Sequence, residues 1–278
     1  MRTDLAKESR LLTETICGIS EQVEYDEQTE ILRIDVLTED AAKQLDKPIG
    51  RYITITSNPQ SMMDRTERAR LAETVAKELE KLVGNRRRTL VIGLGNRYIA
   101  ADALGTKTTE YVFVTRHIHK HMEDILPPNT PSVAAFCANV LGMTGMETVE
   151  VVSALTKQIS PDLVILIDSL AATNVEHLGC VIQCNNSGIA PGAGVGNFQS
   201  ILSEKSLGVP VIAIGIPLVI SADALNDNRG TAMKELQDLI VTPKDIDAMV
   251  KDCSRVLSDA INRMLFGDKY SEIEKLLR

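Results

Sequence analysis

The chain contains no tryptophan, five tyrosines and four phenylalanines, so rings make up only 3% of its 278 residues. A core here must be built from Val, Ile, Leu, Ala and Met, the composition of parallel strands covered on both faces by helices. Positive charge is scarce as well. The 30 Lys and Arg stand against 38 Asp and Glu, a formal net charge of -8. Such a chain lacks the basic face and stacking rings of a nucleic-acid binder, so no direct nucleic-acid partner is expected. No apolar run approaches the ~18 residues that cross a bilayer, and no membrane partner is expected either. The start, Met1-Arg2-Thr3-Asp4, has no apolar signal segment. Cys17, Cys137, Cys180, Cys184 and Cys253 are odd in number and scattered, the usage of reduced thiols in a cytoplasmic protein.

What the chain does have is short apolar runs rich in β-branched residues. Thr89–Leu94, Leu163–Ile167 and Val209–Ile216 predict strands buried on both faces. Between them, Met62–Val83 places Leu71, Val75, Leu79 and Leu82 at helical spacing. Glu147–Ile159 and Asp245–Leu265 share that period, and Thr242-Pro243 before the last reads as an N-cap followed by proline. The alternation predicts an α/β fold with a mostly parallel central sheet and flanking helices. Ile31–Val36 and Arg51–Thr56 alternate as strands, an N-terminal β elaboration over residues 5–58. Without repeats or a Pro-rich linker, residues 1–278 read as a single α/β domain.

Several chemical motifs are missing. Gly93-x-Gly95 and Gly192-x-Gly194 continue to Tyr98 and Asn197 where a dinucleotide fingerprint needs glycine. No phosphate-binding loop, no Gly-x-Ser-x-Gly elbow and no second cysteine pair to match Cys180 and Cys184 is present. His117, His119 and His121 alternate, which on a strand puts three imidazoles on one face and on a helix does not. No cofactor or metal is assigned.

Two carboxylates remain. In open parallel sheets functional groups gather past the carboxyl ends of strands. The first apolar run leads through Gly93-Leu94-Gly95-Asn96 to Asp102, and the second runs straight into Asp168. Either aspartate has a bland reading, Asp168 as the cap of a helix starting at Ser169 and Asp102 as a turn opener. Together they have a sharper one: converging carboxylates of unequal pKa activate water and protonate a leaving group.

VIGLGNRYIAADALG (91–105), VTRHI (114–118), LGMTGMET (141–148), ILIDSLAA (165–172), SGIAPGAGVGN (187–197), GVPVIAIGIP (208–217) and LIVTP (239–243) occur in this order. Together they resemble the germination proteases of spore-forming bacteria over essentially the whole chain. The resemblance implies an atypical aspartic endopeptidase that starts the degradation of small acid-soluble spore proteins during germination. It also implies a self-processing zymogen, a core similar to the hydrogenase maturation endopeptidases, a homotetramer, and a place in the forespore or spore-core cytoplasm. It carries the two catalytic aspartates onto Asp102 and Asp168 and thereby favours the sharper reading. Asn96, Arg116, Glu147, Gly194, Gly196 and Asn197 fall in its motifs as supporting residues. The family cuts after an acidic residue that precedes a bulky apolar residue and Ala. Thr3-Asp4-Leu5-Ala6 fits, so self-cleavage is expected between Asp4 and Leu5, with residues 1–4 as a propeptide shorter than is usual.

The chain departs from the family at Thr173 and Asn174, where Arg is common, at Asn186 for a frequent Asp, and at Leu218 and Ser221. The stretch between Ile220 and Leu239 is shorter than in relatives. Two alternatives follow. One is a metal-dependent maturation endopeptidase, weakened by Ala101 where that group carries an acidic residue. The other is a non-catalytic binder of spore proteins.

Overall fold

A computed structural model describes residues 3–13, 16–26, 28–58, 61–62, 64–84, 87–192, 200–225 and 239–277. The alternating residues near the N-terminus form the antiparallel strands β1 (Ile19–Asp26), β2 (Thr29–Val36) and β3 (Gly50–Ser57). The apolar runs beyond them form β4 (Arg88–Gly93), β5 (Ser132–Cys137), β6 (Leu163–Ala172), β7 (Val181–Asn185), β8 (Val211–Ser221) and the short β9 (Ile240–Val241). Among the described residues all nine strands join one mixed sheet, ordered β1-β2-β3-β7-β8-β6-β4-β5, with β9 on β8. The block β5-β4-β6-β8 is parallel, and the other pairings are antiparallel. The α/β class is as expected. The N-terminal strands reach the parallel block through β7.

Helices α1 (Ala6–Leu11), α2 (Glu39–Leu45), α3 (Arg65–Leu82), α4 (Leu104–Thr109) and α5 (Arg116–His121) precede α6 (Leu141–Thr144), α7 (Thr148–Ile159), α8 (Glu204–Leu207), α9 (Ile246–Phe266) and α10 (Tyr270–Leu277). Asp64 caps α3 by accepting the Thr66 and Glu67 amides at 2.8 and 3.0 Å. The expected cap at Thr242 is not formed. Asp245 occupies the N-cap of α9, and the Thr242 hydroxyl turns to the Pro243 carbonyl at 3.3 Å.

The period-two alternation of the strands sorts the core into two layers. Ile165 and Ile167 of β6, Ile212 and Ile214 of β8 and Ile182 of β7 pack with α3, α4 and α9. Val164 and Leu166, with Val211 and Ala213, point the other way and meet Val152 of α7. Each Val, Leu or Ile among them stabilises the fold by about 1.5–3 kcal/mol through burial. On this second face α7 covers one end of the sheet. Ala41 and Leu45 of α2, with Ala6 of α1, cover Leu32, Ile34 and Tyr52 at the other. Between the two covers lie cavities floored by β6, β7 and β8, and the candidate site is there.

Candidate active site

Asp168 belongs to the second face, two residues along β6 from Leu166. It caps no helix, because β6 continues unbroken to Ala172. The strand-end rule still applies relative to its neighbour. The last β4–β6 pair is Gly93 with Ile167, so Asp168 is the first residue past the end of β4, while β8 still pairs it through Gly215.

Asp102 ends a 3-10 turn, Ala100–Asp102, that folds back over this point. Its Oδ2 accepts the Asn96 amide at 2.7 Å, and the Asn96 side chain accepts the Tyr98 amide at 3.0 Å, so Asn96 ties both ends of the loop. Gly95 makes the close approach feasible. Its φ is +88°, and a Cβ there would stand 2.1 Å from the Asp102 carbonyl oxygen.

A cavity of about 740 Å³ is lined by Asp4, Asn96, Asp102, Glu147 and Asp168. Asp168 is 4% exposed. Burial pushes its carboxyl well above the ordinary range, and the charges of Asp102 and Asp4 push the same way against one hydrogen bond from the Ser169 amide. Asp102 is half-buried and is raised by burial, opposed by the Asn96 amide. Burial thus acts on both carboxyls and more strongly on Asp168.

The N-terminal segment runs through the same space. The Asp4 amide donates to the Ala171 carbonyl at 3.0 Å, and Asp4 Oδ2 accepts the Ala171 amide at 2.8 Å. Leu5 is completely buried against Leu170, Ala172 and Val181. Glu8 anchors α1 behind it. Its carboxylate accepts from the Thr173 amide and hydroxyl, both at 2.8 Å, the Asn174 amide at 3.0 Å and His177 Nδ1 at 2.6 Å, and from the Thr3 hydroxyl. Burial raises Glu8, but His177, Thr3 and Thr173 outweigh it and hold the carboxyl at about 2. Thus Thr173 and Asn174 cradle a carboxylate in this chain.

The other expected residues are placed unevenly. Glu147 lines the cavity and forms a capping box, its amide donating to Glu150 at 3.1 Å. Arg116 starts α5, next to Thr115, whose amide meets the Val133 carbonyl near the amino end of β5. That is the opposite end of the sheet from Asp168. Gly194, Gly196 and Asn197 lie outside the described residues, as does most of the stretch between Ile220 and Leu239. His117, His119 and His121 ride on α5, where alternate residues diverge around the helix. Among the described residues no group of three His, Cys, Asp or Glu side chains is placed to hold a metal ion. Asn186 accepts the Arg51 amide at 2.8 Å, Leu218 is core, and the buried Ser221 hydroxyl finds no partner among the described residues. Glu8 and Gln183 did not stand out by sequence. The only signal for Gln183 was a polar residue inside the apolar run VIQCN.

An α/β protein with one buried and one half-buried carboxylate lining a cavity just past the carboxyl end of β4 is the class these features define. Residues 1–233 match the family model for germination protease. The germination protease of Clostridium perfringens (strain SM101 / Type A) is 36% identical over 305 residues, covering 94% of each chain. That of Caldanaerobacter subterraneus is also 36% identical, covering 95% of this chain and 94% of its own. The Priestia megaterium protein is 33% identical, covering 82% of this chain and 65% of its own. A solved [NiFe] hydrogenase maturation protease, HycI from Thermococcus kodakarensis, shares 16% identity with a TM-score of 0.38, covering 66% of this chain and 98% of its own. The chain belongs to the germination protease family and is a peptidase.

Proposed function

We propose that this peptidase is an aspartic-type endopeptidase whose substrates are small acid-soluble spore proteins, with Asp102 and Asp168 as its catalytic pair. The observation that carries the reading is that both carboxylates line one cavity, one fully buried and one half-buried. Asp102, the more solvated and amide-bonded of the two, is the ionised base that takes a proton from water. The hydroxyl oxygen bonds to the scissile carbonyl carbon while Asp168, kept protonated by burial, gives its proton to the carbonyl oxygen. Collapse breaks the C–N bond, the amine leaves with the proton held by Asp102, and Asp168 recovers its own.

Cleavage of a purified small acid-soluble spore protein beside its acidic–apolar–Ala sequences tests this. Asp102→Asn and Asp168→Asn should each lower kcat by about 10²–10⁴-fold. Full proteolysis by both variants would leave the pair without a role. Activity should fall on the acid side as Asp102 protonates, and on the alkaline side as Asp168 ionises through its raised pKa.

The same reading includes self-cleavage between Asp4 and Leu5. Support comes from Asp4 lining the cavity of the pair, with its charge felt by Asp168. Terminal sequencing should find Leu5 first in the active protein. An active protein still carrying Thr3 and Asp4 would rule it out.

A further inference from the structure

We infer that Gln183 is the clamp for the substrate main chain and the donor to the scissile carbonyl oxygen, an inference that rests on the cleavage reading above. The registers of β6, β7 and β8 place Gln183, Gly215 and Asp168 in one row across three adjacent strands. Residues paired across a sheet point to the same face, so the Gln183 and Asp168 side chains rise from one surface about 10 Å apart. Gly215 between them has no side chain. A Cβ there would stand 2.6 Å from the Asp168 carbonyl oxygen and 2.7 Å from Leu170 Cγ. The row is therefore a slot walled by an amide and a carboxyl and floored by Leu170, whose side chain lies over Gly215.

The chain's own acidic–apolar–Ala segment lies in that slot. Gln183 Nε2 donates to the Asp4 carbonyl oxygen at 2.7 Å, and Gln183 Oε1 accepts the Ala6 amide at 2.5 Å. The two contacts require opposite ends of the amide and so fix its orientation. Gln183 is 4% exposed, and these bonds satisfy a polar group that would otherwise be costly to bury. They bracket Leu5 and involve main-chain atoms only, so any sequence with a small residue after the apolar one can make them.

The Asp4 carbonyl is the one that water attacks in the proposed cleavage. A fixed N–H aimed at its oxygen polarises the carbonyl and stabilises the partial negative charge that builds there before Asp168 delivers its proton. The neighbouring pockets then acquire roles. The Ala171 amide receives the acidic side chain, and Leu170, Ala172 and Val181 receive the apolar one. The groove continues past Asp4 into a second cavity of about 540 Å³ that includes Gln183, Gly215 and Lys47.

The test uses the full chain and two peptides, one containing Glu-Leu-Ala and one with L-lactate in place of that alanine. The ester oxygen removes only the N–H that Oε1 accepts. The unmodified chain should lose about tenfold in kcat/KM on the lactate peptide, the worth of one hydrogen bond. Gln183→Ala should lose about 10²–10³-fold in kcat on the alanine peptide, and no more on lactate. A normal kcat in Gln183→Ala, or the same lactate penalty in both proteins, overturns the clamp. If Gln183→Ala does not fold, the lactate peptide on the unmodified chain still decides, and an absent penalty overturns it. Asp102→Asn and Asp168→Asn run alongside separate the two readings. Active Asn variants defeat the aspartate pair alone, whereas dead Asn variants with a normal Gln183→Ala defeat the clamp alone. An unmodified chain that does not cut the alanine peptide defeats both.

Discussion

At the scale of single residues, the burial of Asp168 opposes stability. Its burial raises the carboxyl pKa above its unfolded value, with Asp102 and Asp4 adding to the shift. The folded state therefore holds the proton more tightly, and stability falls as pH rises from the unfolded pKa toward the folded one. At neutral pH an amide has no such penalty. Asp168→Asn should lose proteolysis yet melt roughly 2 °C or more above the unmodified protein at pH 7, and by less at pH 3. A lower melting temperature at pH 7 would contradict the burial argument. Both aspartates could be picked out in the sequence because they follow apolar runs, where a charge is costly to bury. Only the family resemblance favoured a joint role over the cap and turn readings. Gln183 could not be picked out, because its partners Asp4 and Ala6 are 179 and 177 positions away in sequence. A buried glutamine's role is set by what folds over it.

At the scale of elements, α1 is held less by its own helical hydrogen bonds than by the tertiary contacts of one of its six residues, Glu8. A helix that short has no independent stability. The carboxylate gathers donors from Thr3, Thr173, Asn174 and His177, joining α1 to the end of β6 and to the 3-10 turn Val175–His177. Burial works against this and the hydrogen bonds prevail, lowering the pKa from 4.5 to about 2. A depressed carboxyl stabilises above its unfolded pKa, and that contribution disappears as pH falls from about 4.5 to about 2. Hydrogen exchange at residues 6–11 should accelerate over this interval. Glu8→Gln should show the accelerated rate already at pH 7, having lost about 1–3 kcal/mol of docking. Unchanged exchange in that variant would mean that Leu5 burial alone holds the helix. Most elements were readable from periodicity, since β2, β3, α3, α7 and α9 fall within a few residues of their expected bounds. The length of β6 was not. Ser169-Leu170-Ala171-Ala172 has little strand character, and it stays extended because β8 runs beside it to Ile220.

At the scale of the whole molecule, the sheet is two structures joined at β7. The parallel block has helices on both faces, and every residue of β8 is buried. In β1 all seven residues after Ile19 are exposed. The junction was illegible in sequence because β3 meets β7 across pairs such as Ile53 with Cys184, and composition carries no trace of such long-range pairing. The clamp residue Gln183 lies on this junction strand, so the antiparallel half positions one wall of the slot and the parallel half the other. Opening free energies follow burial. An edge strand exposed along all but its first residue should open by itself, whereas β6 and β8 cannot be exposed without losing the core. Native-state exchange in increasing urea should find the β1 amides opening well below the global free energy. The β4, β6 and β8 amides should merge with it, and the β7 amides should join them because Gln183 and Cys184 are buried in the middle of the sheet. If β7 opened together with β1, one wall of the slot would belong to the mobile edge. The fixed donor geometry inferred for Gln183 would then have no rigid support.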